Sequence, residues 1–234
     1  MGNLVSCPGL FVVGTDTGVG KTYVAARIAT ALHRIARKVG VYKPAASGCR
    51  QIDGELVSDD AVALWEAAGK PGTLDAVCLQ RFTAPLAPHL AAREEGKELN
   101  PTLLRRGLEF WQRTSEIIIV EGAGGLMSPL GDHEYVADLA AGFRFPLIVV
   151  VPNRIGAINS ALTTLIAAAA RPKPLSVAGI VLNDLLPPSS DDPSTSSNRR
   201  ELEKRCDVPI LAQLCFEAER FDAAIDWMAL AIHE

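Results

Sequence analysis

Long apolar runs, basic blocks and paired cysteines are all missing from this chain, and each absence removes a class of protein. The apolar stretches are interrupted and of strand or short-helix length, short of the roughly 20 residues that a membrane-spanning helix requires. No membrane partner is expected. Lysine and arginine number 23 against 27 aspartate and glutamate, a formal net charge of -4 without a strong basic block, which argues against nucleic acid as a partner. The five cysteines, Cys7, Cys49, Cys78, Cys206 and Cys215, are scattered and never spaced Cys-x-x-Cys. That pattern fits reduced thiols in a cytoplasmic protein, not a disulfide framework or a thiolate metal site. Met1-Gly-Asn-Leu-Val-Ser6 fits a loose acylation pattern and Leu4-Val-Ser-Cys7 a lipoprotein box, but neither a basic segment nor an apolar region precedes Cys7. Neither is expected to be processed.

What is present is a chain of 234 residues, 48% hydrophobic, long enough to bury a substantial core as one α/β domain over residues 1–234. Its clearest stretch is Gly14-Thr-Asp-Thr-Gly-Val-Gly-Lys-Thr22. An apolar run at residues 10–13 precedes it, and Val24, Ile28, Ala31, Leu32 and Ile35 follow at helical spacing. A strand, a glycine-rich turn and a helix start are therefore expected. In that setting the backbone N-H groups of Gly18, Val19 and Gly20 hold an anion, Lys21 reaches the outer phosphates, and the Thr22 hydroxyl takes one position on Mg²⁺. One feature departs from the phosphate-loop pattern: Thr15 occupies the place of its first glycine, and Gly14 lies one residue earlier.

Other ligand groups follow at strand ends. Residues 38–42 read as a second strand, and Pro44 keeps Lys43 extended at its carboxyl edge, either as a second cation for a ligand or as a solvated surface residue. Ser58 or Asp59 caps a helix reaching residue 68, which makes Asp59 or Asp60 a candidate metal carboxylate. His89 follows a Pro-rich loop and either touches a substrate carboxylate or caps a helix at Leu90. Pro101 starts a helix to residue 113. Ile117-Ile-Ile-Val120 is apolar without alternation, as buried parallel strands are, and delivers Glu121 into the glycine-rich Gly122-Ala-Gly-Gly125. An acid so placed is positioned for Mg²⁺ while its neighbours' amides approach phosphate. Strands at 147–151, 176–182 and 208–213 alternate with helices at 156–170 and 199–205, and the Ser/Pro-rich residues 187–198 read as a mobile loop. A last helix is expected to carry Phe221, Ile225, Met228 and Ile232 on one buried stripe. The alternation implies a doubly wound, mostly parallel sheet with helices on both faces and a nucleotide at its carboxyl edge.

The ordered set of residues 14–22, Tyr42-Lys-Pro-Ala-Ala-Ser-Gly48, Asp60-Ala-Val-Ala-Leu64, Ala87-Pro-His89, Glu121-Gly-Ala-Gly-Gly125 and Gly156-Ala-Ile-Asn159 resembles the dethiobiotin synthetase family of biotin biosynthesis, over residues 10–184. The resemblance implies an ATP- and Mg²⁺-dependent ring closure of 7,8-diaminopelargonic acid with CO2, through a carbamate and a carbamic-phosphoric anhydride. It implies catalytic roles for Lys43, Lys21 and Thr17, and Mg²⁺ ligation by Thr22, Asp60 and Glu121. Substrate contacts fall to Ser47, His89, Gly124 and Asn159, and nucleotide contacts extend to Gly122, Ala123, Gly124, Asn183 and Asp184. It also implies a homodimer in which residues 156–159 of a second subunit receive the substrate carboxylate. Cys215-Phe-Glu217 stands where the family usually carries proline after the last strand, so the resemblance assigns that segment no role. A partition-type or metal-insertion switch ATPase, acting by nucleotide-dependent dimerisation, is the alternative; those proteins carry an extra lysine early in the loop, where this chain has Asp16. An amidotransfer ligase would bring a glutaminase domain, for which no room remains.

Overall fold

The computed structural model describes residues 7–187 and 192–232. The amino-terminal expectations and part of the expected mobile loop therefore lie outside the described residues. In chain order the elements are β1 (Gly9–Gly14), α1 (Lys21–Arg34), β2 (Val39–Tyr42), β3 (Ala45–Ala46), β4 (Arg50–Ile52), β5 (Glu55–Val57), α2 (Asp59–Ala67), α3 (Leu74–Val77), β6 (Gln80–Arg81), α4 (Pro88–Glu94) and α5 (Pro101–Thr114). They continue with β7 (Ile117–Gly125), α6 (Val136–Phe143), β8 (Leu147–Pro152), α7 (Ala157–Ala169), β9 (Val177–Asn183), a 3-10 turn (Pro193–Ser196), α8 (Asn198–Glu203), β10 (Ile210–Leu214) and α9 (Trp227–Ala231).

Six parallel strands form the main sheet in the order β10-β9-β8-β1-β7-β2. The central strands β1 and β8 and the first six residues of β7 are buried throughout, which is why they read as unbroken apolar runs. From β1 the chain winds outward to β2, and from β7 it crosses to β8 and winds the opposite way. Right-handed crossovers then put helices on both faces: α1, with α2 and α9 against it, on one, and α5 to α8 on the other. The reversal opens a crevice at the carboxyl ends of β1, β7 and β8, where such sheets bind ligands.

Local signals account for several boundaries. Ser58 caps α2 by accepting from Ala61 N at 3.2 Å, and Asn100 caps α5 by accepting from Leu103 N at 3.0 Å. Other expectations need correction. The glycine-rich segment after Glu121 continues β7, because Gly14 of β1 pairs with Gly125 across a bulge. The expected last helix is reduced to α9. Asp222 accepts from Gln213 N at 2.7 Å and returns its own N-H to Gln213 O at 3.2 Å, tethering the preceding strap to β10. Asp226 then caps α9 through Ala229 N at 3.0 Å, so Phe221 and Ile225 lie outside the helix and Ile232 is exposed. Residues 192–198 form a hydrogen-bonded 3-10 turn and helix start, with Ser194 N donating to Asp192 at 3.0 Å. The hairpin of β4 and β5 turns on Asp53 and Gly54, both at positive φ, as a two-residue turn of this kind requires.

Gly107 tests how tightly the layers fit. It lies inside α5 against the buried ring of Tyr42, whose hydroxyl donates to Leu104 O at 2.8 Å, and a β-carbon at Gly107 would collide with that hydroxyl. Alanine gains about 1 kcal/mol of helix propensity over glycine, whereas overpacking costs roughly 1–3 kcal/mol and the hydrogen bond about another 1 kcal/mol. Gly107→Ala is expected to lower stability in urea unfolding, and adding Tyr42→Phe should recover part of the loss.

Candidate active site

The phosphate-type loop is shaped by close contacts that only glycine allows. A β-carbon on Gly14 would lie 2.6 Å from Val19 Cγ2 and 2.7 Å from Asp16 O. This explains the displaced glycine: the loop folds back onto residue 14, so glycine is needed there and Thr15 is tolerated. Gly20 ends the loop in a left-handed conformation (φ 86°) as the cap of α1. The Asn183 amide packs on it and donates to Val19 O at 3.0 Å. Lys21 Nζ folds back to Asp16 O at 3.2 Å, leaving its ammonium at the loop mouth.

Beside the loop four groups from four elements converge. Lys43 Nζ, at the end of β2, lies 2.6 Å from Glu121 Oε1 on β7 and 2.8 Å from Asp60 Oδ2 on α2. The Thr22 hydroxyl on α1 lies 2.8 Å from both Asp60 Oδ1 and Glu121 Oε1, and donates its one proton to either. Lys43 is 3% exposed and Glu121 1%. Burial alone would depress the Lys43 ammonium, but the two carboxylates outweigh it and hold its pKa above the ordinary lysine value. Burial is also the main influence on Glu121 and, aided by Asp60, raises its carboxyl despite Lys43. Asp60 is pushed upward by burial but more strongly downward by Lys43 and Thr22, and ends below its usual range. Lys21 is lowered by burial and by Lys43, against the pull of Glu121, Asp60 and Asp16. The choice between the adjacent acids resolves physically, since Asp59 points outward to a forked pairing with Arg50.

These groups border a cleft of about 380 Å³ lined by Thr17, Gly18, Gly20, Lys21, Thr22, Lys43, Ser47, Asp60, Glu121, Ala123 and Gly124 together with Ala45 and Ala46. Most of the anticipated site residues are thus brought together. Val19 and Gly122 are buried behind it, with Gly122 O accepting from Lys43 Nζ at 3.4 Å. His89 is not part of the lining: α4 begins at Pro88 with Ala87 as its cap, so His89 caps nothing, and its Nδ1 is buried without a partner. Asn159 is exposed in the first turn of α7, away from this cleft.

At the sheet edge beyond β8, β9 and β10 the expected Asp184 gathers polar residues that sequence reasoning did not find, Asn153, Asp192, Asn198 and Gln213. Asp184 accepts from Asn153 Nδ2 at 2.7 Å and from Gln213 Nε2 at 2.8 Å, and Asn198 Nδ2 donates to Asn153 Oδ1 at 3.0 Å. Asp192 adds an acceptor for Ile155 N at 2.9 Å. Asp184, Asn153 and Gln213 line a second cavity of about 670 Å³. Beside it Asn183 Oδ1 is buried without a partner among the described residues. Isolated Asn and Gln residues at strand ends look like ordinary turn residues, which is why no signal marked them.

Known proteins can be compared with this geometry. A family model described as an AAA domain matches residues 8–219. The ATP-dependent dethiobiotin synthetase BioD of Anaeromyxobacter dehalogenans (strain 2CP-C) is 42% identical over 215 residues, covering 90% of this chain and 91% of that protein. The chain belongs to the dethiobiotin synthetase family. Rhodopirellula baltica supplies another member, 40% identical over 87% of this chain and 82% of its own length. Membership makes the chain an enzyme of the ATP-dependent ligase class. Its scaffold is shared more widely: a ParA family ATPase from Chlorobium tepidum superposes with a TM-score of 0.56 at 17% identity, over 91% of this chain and 85% of that one. The septum site-determining protein MinD of Pyrococcus horikoshii, complexed with Mg-ADP, gives a TM-score of 0.53 at 19% identity, over 89% and 81% of the two chains. At that identity the likeness describes the fold alone.

In this family member the Asp184 carboxylate is the common acceptor of two side-chain amides. Asp184→Ala leaves Gln213 Nε2 without its acceptor and Asn153 Nδ2 with only Thr195 O, at 3.3 Å, and is expected to lower unfolding free energy by about 1–3 kcal/mol, measured by urea titration of the nucleotide-free protein.

Proposed function

We propose that the chain closes the ureido ring of dethiobiotin from 7,8-diaminopelargonic acid, CO2 and ATP, and that the 380 Å³ cleft is where the ring closes. The observation that carries this reading is the meeting of Lys21 and Lys43 with two carboxylates and a hydroxyl at the mouth of an anion-binding loop. One substrate amine captures CO2 as a carbamate, whose oxygen attacks the γ-phosphorus of ATP and releases ADP. The second amine then attacks the carbonyl carbon of the mixed anhydride, closing the ring and expelling phosphate; the two amines give up their protons on the way.

Two anions must approach each other in the phosphoryl-transfer step, so cations on both sides lower its barrier. Lys43 supplies one, kept charged by its acidic neighbours; Lys21, at the loop mouth, supplies the other. The Thr17 and Ser47 hydroxyls border the cleft where the carbamate and diamine lie, Ala123 and Gly124 line it as well, and Gly122 lies behind them. Positioning, not covalent chemistry, is the protein's share.

The acidic side of the cleft fits Mg²⁺. Thr22, Asp60 and Glu121 converge, and Glu121 Oε2 is buried with no partner among the described residues. Among the described residues no group of three or more His, Cys, Asp or Glu forms an all-protein cage, which suits an ion that takes one or two carboxylates together with phosphate oxygens. When bound, it offsets phosphate charge and polarises the transferred group. Asn183, with its free buried Oδ1, and Asp184 serve the nucleotide at the sheet edge, Asp184 by fixing its neighbours.

A homodimer completes this reading. Helix α7 carries no charged residue, its outer face is apolar at Ile166 (68% exposed), and Ile155 before it is 79% exposed. Its amino terminus, from Gly156 to Asn159, receives the substrate carboxylate of the partner's site through backbone N-H groups other than that of Ala157, which is turned back to Arg154 O at 3.0 Å. A cytoplasmic location suits the reduced cysteines and the metabolite substrates.

The deciding assay is phosphate release from MgATP and bicarbonate with and without the diamine, with the product identified by mass. Diamine-dependent release and a dethiobiotin mass are expected; release indifferent to the diamine would point to a switch ATPase. Lys43→Ala should bind MgATP within a few-fold of the parent yet turn over at least about 10²-fold more slowly, and full activity would remove Lys43 from the mechanism. Ile166→Asp should shift the protein from dimer to monomer in sedimentation; an unchanged mass would place the interface elsewhere.

A further inference from the structure

A third cavity lies away from the cleft. The strap after β10 runs along the outer face of α1, held where the Tyr23 hydroxyl donates to Ala218 O at 2.7 Å and where Arg34 stands 3.8 Å from Glu219. Between helix and strap is a space of about 490 Å³ that shares no lining residue with the Lys21 and Lys43 cleft.

Its polar border is cationic. Arg27, Arg34 and Arg220 all line it. Arg27 lies over the Tyr23 ring, 4.6 Å from its centroid, and gives one N-H to the Tyr23 hydroxyl at 3.3 Å. Its Nε is buried with no acceptor among the described residues. Of the two acids at the border, Asp222 is already engaged by Arg199 at 2.8 Å and by the Gln213 amide, while Glu219 is largely exposed. Three arginines against two acids leave the lining with a net positive charge that an anion would answer. The facing strap is apolar at Phe221 and Ile225, with Phe221 packed on Trp227 at 5.1 Å between ring centroids, and Ala31 lies between Arg27 and Arg34 on the helix side. A guanidinium edge facing an apolar wall selects a ligand with one anionic end and a hydrocarbon body.

We propose that this cavity binds a medium-chain alkyl carboxylate, with the carboxylate on Arg27 and the chain against Phe221 and Ile225. The product of the proposed reaction is a carboxylate of this class, so on that reading the cavity is a second site for the enzyme's own product. The binding claim stands apart from the ligase reading.

Calorimetric titration of the full chain, loaded with MgADP to keep probes out of the phosphate loop, tests it with octanoate, octylamine and inorganic phosphate. Octanoate should bind and octylamine should not. Arg27→Gln should weaken octanoate at least tenfold, as should Ala31→Phe, which fills the cavity and leaves the arginines in place. Octanoate binding that is absent, or unaffected by both variants, would overturn the proposal. Phosphate binding as tight as octanoate would reduce the site to a simple anion hole and overturn it too. If MgADP fails to bind, the nucleotide reading falls, and octanoate is then titrated into the free protein.

Discussion

The pairing of Lys43 with Glu121 and Asp60 is the constraint on which the rest of this architecture depends. A carboxylate as buried as Glu121 is costly unless a cation answers it, and the answering ammonium comes from the end of a different strand. Holding them 2.6 Å apart requires β2 beside β7, and bringing Thr22 to both acids requires α1 to start where β1 ends. The parallel sheet meets all these demands at one edge. The same cluster keeps a lysine charged in a site where burial would otherwise neutralise it, which is the condition that anionic chemistry sets.

Much of this was legible in the sequence because the signals were local. Buried parallel strands are apolar without alternation, so Ile117 to Val120 announced both a strand and the depth of Glu121 behind it. The glycine-rich turn with Lys21 and Thr22 marked the loop that borders the cleft, and Ser58 and Pro101 marked helix starts, Ser58 through a hydrogen bond within three residues. Interactions spanning the chain were not legible. Nothing near Asn153 shows that Asp184 and Asn198 will meet it. The periodic apolar residues near the carboxyl end suggested one long helix because periodicity carries no record of the Asp222 tether to Gln213. The Asp53-Gly54 hairpin had a local signal that was passed over, and His89 stands outside the cleft although its motif is in register.

The relatives and the fold neighbours separate scaffold from chemistry. At 17% identity the ParA-type ATPase retains the same layered sheet; at 42% the dethiobiotin synthetases share its sequence over nine-tenths of this chain. The fold supplies the sheet edge, and what distinguishes this chain is the side chains set around it. Lys43, Asp60 and Glu121 come from three separate elements, so the site can be retuned at one without rebuilding the others.

The strand order also dictates how the molecule can come into being. Gly9 pairs with Ile118 and Phe11 with Leu147, so the strand made first waits for partners made more than a hundred residues later. Closing such wide loops before any contact rewards them makes folding slow by comparison with helical proteins of equal size. On the ribosome, β1 and its phosphate loop must remain without their sheet neighbours until β7 has emerged, and the centre of the sheet closes only when β8 follows.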